Sequence, residues 1–272
     1  MAVVVNSRPS SCLKLNGVGI QFGGLKVLED INIVLEAGGL YGLIGPNGAG
    51  KTTAFNIISG IYRPTRGELS FQGQSLAALG PAEVCKMGIV RTFQNIRLFA
   101  EMTVLENILV AMHKDCSYGM VSAVFKSEKF LATEAEELER ALSLLEIFDL
   151  KKVADERANS LPYGQQRKLE IVRALASRPK LLLLDEPAAG MNHSETAELM
   201  SLIKKVRMQF NLTVLLIEHD MKLVMGICEK IFVLDHGVII AEGEPKEIQS
   251  NQKVIEAYLG VDDESVSAGG GH

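Results

Sequence analysis

Gly45, Pro46, Asn47, Gly48, Ala49, Gly50, Lys51, Thr52 and Thr53 form a run built for holding phosphate. The three glycines allow the backbone to fold so that successive N–H groups face inward, and at a helix start such a nest attracts anions. Lys51 adds a cation for β- and γ-phosphate oxygens, and the Thr52 hydroxyl can ligate Mg²⁺. The loop needs a strand before it and a helix after it. Apolar Leu40–Ile44 supplies the first, and an amphipathic segment ending at Gly60 supplies the second. The chemistry indicated is the binding of a nucleoside triphosphate.

Three further groups are candidates for acting on that triphosphate. Lys180–Pro187 carries four leucines ahead of Asp185 and Glu186, a pattern that predicts a buried parallel strand ending in acids. Asp185 is placed to hold Mg²⁺ through water, and Glu186 to polarise the attacking water. The alternative is a strand ending in a solvated acidic turn. Thr213–Asp220 predicts a second such strand, delivering Glu218, His219 and Asp220 into a turn, with His219 as a candidate γ-phosphate contact; the alternative is a structural or exposed histidine. Gln94, in Val90–Phe99, is expected where an extended segment gives way to a helical one, its amide within reach of both Mg²⁺ and the lytic water. Read alone, it is equally an ordinary loop glutamine. No Asn-Lys-x-Asp guanine-reading motif occurs, which weighs against GTP.

The order Lys51, Gln94, Asp185–Glu186, His219, with Leu161, Pro162, Tyr163, Gly164 and Gln165 ahead of Asp185, resembles the nucleotide-binding domain of ABC ATPases. The resemblance implies a signature loop over Leu161–Gln165 that aims a helix N-terminus at ATP held by a second subunit. Pro162 and Tyr163 stand where the commonest form has Ser and Gly, so the serine hydroxyl contact is absent, with Tyr163 or the backbone as candidate substitutes. The wording of QFGGLKVLEDI, YGQQRKLEIVRALA, DEPAAGMN, EHDMKLVMGIC and VIEAYLG is similar to ATP-binding subunits of hydrophobic or branched-chain amino-acid importers, over nearly all of Leu13–Gly260. That likeness implies adenine stacking on Phe22, whose plainer alternative is a core strand residue. It also implies a subunit-bridging loop at Ala188–Asn192, ATP and Mg²⁺ as cofactors, and a second ATPase subunit as partner. Transmembrane permease subunits and, indirectly, a substrate-binding protein complete the implied assembly. An ABC ATPase of a lipid or lipopolysaccharide export system shares every one of these motifs. A soluble ABC protein acting on ribosomes or DNA is a further alternative, though such proteins usually carry tandem ATPase domains or a long coiled-coil insertion.

The elements that must position these residues point to an α/β fold: a P-loop NTPase with a RecA-like core, a small antiparallel β subdomain and an inserted α-helical subdomain. Leu13–Ile33 reads as two strands around a Gly-Gly turn, sheeted with Glu68–Gln72. Residues about 96–160 form the helical lobe, in which Leu131, Ala135, Leu138, Leu142 and Leu145 predict one apolar helix face. Asn95–Val104, on the edge of that lobe, is the expected permease contact. Ile231–Asp235 and Val238–Glu242 predict a hairpin about His236-Gly237. The ATP-binding domain is expected over 13–260, with 1–12 and 261–272 as flexible tails.

The 272 residues include 47% hydrophobic and 22% charged side chains, with net charge −5 and no basic tract. That balance disfavours a nucleic-acid surface. Apolar runs are too short to cross a bilayer, and the first residues are too poor in apolar side chains for a secretory signal. Cys12, Cys85, Cys116 and Cys228 form no CxxC pair and are expected as reduced thiols. These features imply a cytoplasmic protein, and the resemblance to importer subunits implies a peripheral position on the cytoplasmic face of the cell membrane.

Overall fold

The computed structural model describes residues 11–112 and 128–258. Two sheets organise the chain. Strands β1 (Ser11–Phe22), β2 (Leu25–Glu36), β4 (Arg66–Phe71) and β5 (Gln74–Ser75) form an antiparallel sheet in the order β2-β1-β4-β5. Strands β3 (Leu40–Ile44), β6 (Ile89–Arg91), β7 (Leu181–Asp185), β8 (Thr213–Ile217), β9 (Lys230–Asp235) and β10 (Val238–Gly243) form the main sheet in the order β10-β9-β3-β8-β7-β6. All its neighbours run parallel except the β9–β10 hairpin. This is the expected P-loop NTPase architecture, with the Gly23-Gly24 turn and both hairpins in place.

Each central strand is covered on both faces, which explains its unbroken apolar sequence. Side chains alternate between two cores. Leu181, Leu183, Leu215 and Ile217 face the antiparallel sheet and helix α1 (Lys51–Ile58). Leu182, Leu184, Val214 and Leu216 face the helical side. There α3 (Val104–Met112), α4 (Glu128–Ile147), α5 (Tyr163–Ala176) and α6 (His193–Phe210) lie, following α2 (Pro81–Met87) in the chain. The C-terminal part of the fold adds α7 (Met221–Ile227) and α8 (Pro245–Gln249). Among the described residues, no helix is long and apolar enough to cross a membrane.

Three expectations are corrected. Ser11 and Cys12, assigned to a flexible tail, belong to β1: Ser11 aligns with Glu36, and Cys12 is buried because β2 runs far enough to cover it. Residues 1–10 and 261–272 lie outside the described residues. Helical structure does not follow Gln94 directly, since an irregular segment continues to Val104. The apolar stripe on α4 is core only toward its C-terminal end. Ala141, Leu144, Leu145 and Phe148 are buried, whereas Ala135 and Leu138 are exposed; Leu131 lies outside the residues whose side chains are described. The cysteines Cys12 and Cys228 are buried and unbridged, and Cys85 is half-buried and unbridged; Cys116 lies outside the described residues.

Candidate functional site

Parallel strands with matched register bring the candidate residues to one edge. Leu43 of β3 aligns with Ile217 of β8, which aligns with Asp185 of β7. The chain therefore leaves the sheet side by side at Gly45, Glu186 and Glu218. Ligand sites of parallel α/β sheets lie at the carboxyl ends of the strands.

The phosphate loop is shaped by close backbone approach. Gly45 has φ 152°, and a Cβ there would stand 1.9 Å from the Leu234 carbonyl oxygen. Gly50 is left-handed at φ 106° and opens α1 at Lys51. Pro46, Asn47, Gly48 and Ala49 cross the turn between them, with Asn47 and Gly48 exposed. The Lys51 Nζ donates to the carbonyls of Gly45 at 2.7 Å and Pro46 at 2.8 Å, so the cation is held within the loop. Burial lowers the Lys51 pKa from the usual lysine range, against the pull of Glu186 and Asp185. Thr52 is exposed and Thr53 half-buried at the first turn of α1.

Across from Lys51 stands a pair of acids with different surroundings. Asp185 is buried, and its Oδ2 accepts from Arg91 Nη2 at 2.6 Å. The same guanidinium donates through Nη1 to Asn56 Oδ1 at 2.6 Å and lies 5.0 Å from the centre of the Phe93 ring. Glu186 is left-handed at φ 47°, a costly conformation for a side chain with a Cβ and one that clusters at functional sites. Its N–H donates to the Ile217 carbonyl at 2.9 Å. Its Oε2 accepts from Gln94 Nε2 at 2.9 Å. His219 is exposed, with Nδ1 3.9 Å from both Glu186 Oε2 and Glu218 Oε2.

Phe22 is 45% exposed and meets Tyr62 edge-to-face at 5.2 Å between ring centres. It is not a core residue. It ends β1 opposite Leu25, on the hairpin whose Leu28 lies against Gly50 of the phosphate loop.

Leu161 is buried, Pro162 caps α5, and Gly164 and Gln165 lie in its first turn. The Tyr163 side chain is committed within its own subunit. Its hydroxyl donates to the Ala189 carbonyl at 3.0 Å and accepts from Arg167 Nε at 3.2 Å.

Four charged residues of the site carry no role in the sequence reading, although Glu218 is placed there beside His219 at the end of its strand. Arg91 sits on a three-residue strand, and Glu218 directly follows five apolar or β-branched residues. Arg167 and Glu170 form a buried ion pair at 3.0 Å on α5. Burial pushes the Glu170 pKa up, while Arg167 pulls it down. Glu218 is 1% exposed; its Oε1 accepts from the Ala188 N–H at 3.0 Å, and burial pushes its pKa up. For Arg91 the available signal was an ionisable residue directly after apolar Ile89 and Val90, a setting in which a buried charge rarely stays unpaired; Arg167, beside Gln165, Gln166 and Lys168, carries no such signal.

Thr52, Gln94 and Asp185 are hard oxygen donors of the kind Mg²⁺ accepts. Among the described residues, no group of three or more His, Cys, Asp or Glu could hold a metal by itself. Mg²⁺ bound by one carboxylate, a hydroxyl and the nucleotide's own phosphates requires none.

Residues 28–189 match the family model described as ABC transporter, and residues 238–264 match that of the branched-chain amino acid ATP-binding cassette transporter. The high-affinity branched-chain amino acid transport ATP-binding protein LivG of Escherichia coli (strain K12) is 48% identical over 248 residues, covering 91% of this chain and 97% of LivG. BraF of Pseudomonas aeruginosa, which bears the same description, is 46% identical over 254 residues, 93% of this chain and 99% of BraF. The ADP conformation of MJ1267, an ATP-binding cassette of an ABC transporter, superposes with a TM-score of 0.80 at 33% identity, over 93% of this chain and 100% of that one. A dimeric post-hydrolysis state of the cassette MJ0796 bound to ADP and Pi superposes with a TM-score of 0.72 at 28% identity, over 86% and 98%.

Proposed function

The chain belongs to the ABC transporter family, and from that premise we propose that it is the ATP-hydrolysing subunit powering an importer of branched-chain and other neutral amino acids. The observation that carries the ATPase reading is the convergence of Lys51, Asp185 and the Gln94–Glu186 hydrogen bond at one sheet edge. The choice of amino-acid import over export is supported by the near full-length likeness to LivG and BraF and by the C-terminal family match.

The substrate ATP lies with its phosphates on Gly45–Thr53 and its adenine on Phe22. Lys51 carries charge to the β- and γ-phosphates. When bound, Mg²⁺ neutralises charge on those oxygens; Thr52, Gln94 and Asp185 would hold it. Glu186 orients and polarises the lytic water, accepting its proton as the oxygen attacks the γ-phosphorus and the bond from that phosphorus to the bridging oxygen breaks, releasing ADP and phosphate; Gln94 holds the carboxylate in place. His219 reaches the γ-phosphate once it turns toward it. Leu161–Gln165 acts on ATP bound by a second ATPase subunit, with the α5 N-terminus supplying positive potential. Ala188–Asn192 bridges the two subunits. Closure on two ATP molecules and reopening on hydrolysis drive permease subunits that a binding protein loads. Exposed Phe99 and Met102 support Asn95–Val104 as the permease contact. The chain then works as a peripheral subunit on the cytoplasmic face of the membrane.

Purification of the membrane complex through this chain, followed by reconstitution into vesicles, tests the assignment. ATP-driven uptake of labelled leucine, isoleucine or valine is expected. ATP-driven lipid export without amino-acid uptake overturns it.

A further inference from the structure

Arg167 is 2% exposed, and its guanidinium is spent on two neighbouring segments. Nη1 donates to the Phe93 carbonyl at 2.9 Å and to Glu170 Oε2 at 3.0 Å, and Nη2 donates to the Gln94 carbonyl. Glu170 Oε1 faces the N–H groups of Phe93 at 3.5 Å and Arg97 at 3.4 Å. The pair thus grips segment 93–97 by its backbone from both charges. Arg167 Nε then donates to the Tyr163 hydroxyl, which donates to the Ala189 carbonyl three residues past Glu186. A chain of hydrogen bonds therefore runs from the backbone of Gln94 to the loop after Glu186, while the Gln94 amide closes the circuit on Glu186 itself.

We infer that Tyr163 and Arg167 are positioning residues for hydrolysis: through Phe93, Gln94 and Ala189 they fix the two segments that set the Gln94–Glu186 geometry. This rests on the roles of Gln94 and Glu186 proposed above. It also accounts for a tyrosine in the signature loop. A glycine there has no atom to bridge Arg167 and Ala189, whereas the tyrosine ring spans the gap and closes on Gly190, where an added Cβ would lie 3.1 Å from Tyr163 Cε1. Such circuits hold more than their pairwise contacts imply, because each bond orients the next.

The test compares the full chain with its Tyr163→Phe, Gln94→Ala and doubly substituted forms, measuring ATP affinity, KM, kcat and melting temperature. Tyr163→Phe keeps the ring and removes only the hydroxyl. Its kcat is expected to fall about 5-fold, the equivalent of one neutral hydrogen bond, with KM and ATP affinity within about 2-fold. In the Gln94→Ala background the same substitution is expected to have no further effect, since it acts through Gln94. Arg167→Lys keeps a cation against Glu170 but loses the Nε donor and the forked geometry; it is expected to repeat the pattern, and it serves if Tyr163→Phe misfolds. Unchanged kcat in Tyr163→Phe, losses that multiply in the double variant, or a change confined to KM each overturns the inference. A wild-type chain that binds ATP without hydrolysing it overturns the functional reading and the inference with it.

Discussion

The Arg91 guanidinium and the Asp185 carboxylate meet at 2.6 Å with side-chain exposures of 5% and 7%. A buried pair costs much when one partner is lost, because the other charge stays behind without compensation. Arg91→Met is therefore expected to destabilise the fold by about 3–5 kcal/mol. In a domain of this size each kcal/mol lowers Tm by about 2–4 °C, so calorimetry is expected to show a fall of roughly 6–20 °C. An unchanged Tm would mean that Asp185 is held by other groups.

Lys51 contributes differently. Its ammonium bonds only to the carbonyls of Gly45 and Pro46, among the described contacts, and fills no core. Lys51→Ala is expected to leave Tm close to wild type. It removes a charge-assisted contact worth about 1.5–3 kcal/mol, so ATP affinity in a calorimetric titration is expected to fall by roughly 10- to 100-fold. Equal affinity in the two proteins would displace the phosphate site from this loop.

What the sequence made legible was whatever adjacency carries. Lys51 stands at the start of α1 because the glycines before it permit the left-handed turn that opens the helix, and Asp185 and Glu186 follow a strand whose four leucines favour burial. The hidden part depends on residues far apart in the chain. Arg91 meets Asp185 across 94 positions, and Arg167 reaches Phe93 across 74; no local pattern announces either. Leu138 misled for a related reason. Helical period marks an apolar face, but α3 and α5 cover only the later part of α4, and the earlier leucine stays 40% exposed. Gln94 was singled out at an expected change from extended to helical chain; the fold places it beside Glu186, although its own segment is neither strand nor helix.

Glu218 links stability to pH. Burial raises its folded pKa above the ordinary glutamate value of 4.5, helped by Glu186 and opposed by the Ala188 N–H and by His219. Between the ordinary and the raised value the folded chain holds a proton that the unfolded chain has released, so this residue's contribution falls as pH rises through that window. Glu218→Gln keeps an acceptor for Ala188 and removes the titration. Thermal melts from acid to neutral pH are expected to show a smaller loss of stability with rising pH in the variant than in wild type. Parallel curves would place no ionisation cost at Glu218.

Glu186 separates binding from chemistry. Its carboxylate accepts from Gln94 and is close enough to act on the Lys51 charge, and its backbone is left-handed at the end of the strand it follows. Glu186→Gln preserves size and hydrogen-bonding reach and removes the group able to accept a proton from water. ATP is expected to bind as before, since Lys51 and the phosphate loop are untouched, and closure against the partner's signature loop is expected to proceed. Loss of a general base costs about 10²–10⁴-fold, so hydrolysis is expected to fall by at least about 10²-fold. With closure intact and reopening blocked, the ATP-bound dimer accumulates, and light scattering after size exclusion is expected to report twice the monomer mass in the variant with ATP. Near-normal turnover would move the catalytic role to His219 or Gln94. Slow turnover with a monomer throughout would instead separate the catalytic role of Glu186 from the proposed closure, and would mean that nucleotide alone does not bring two copies of this chain together.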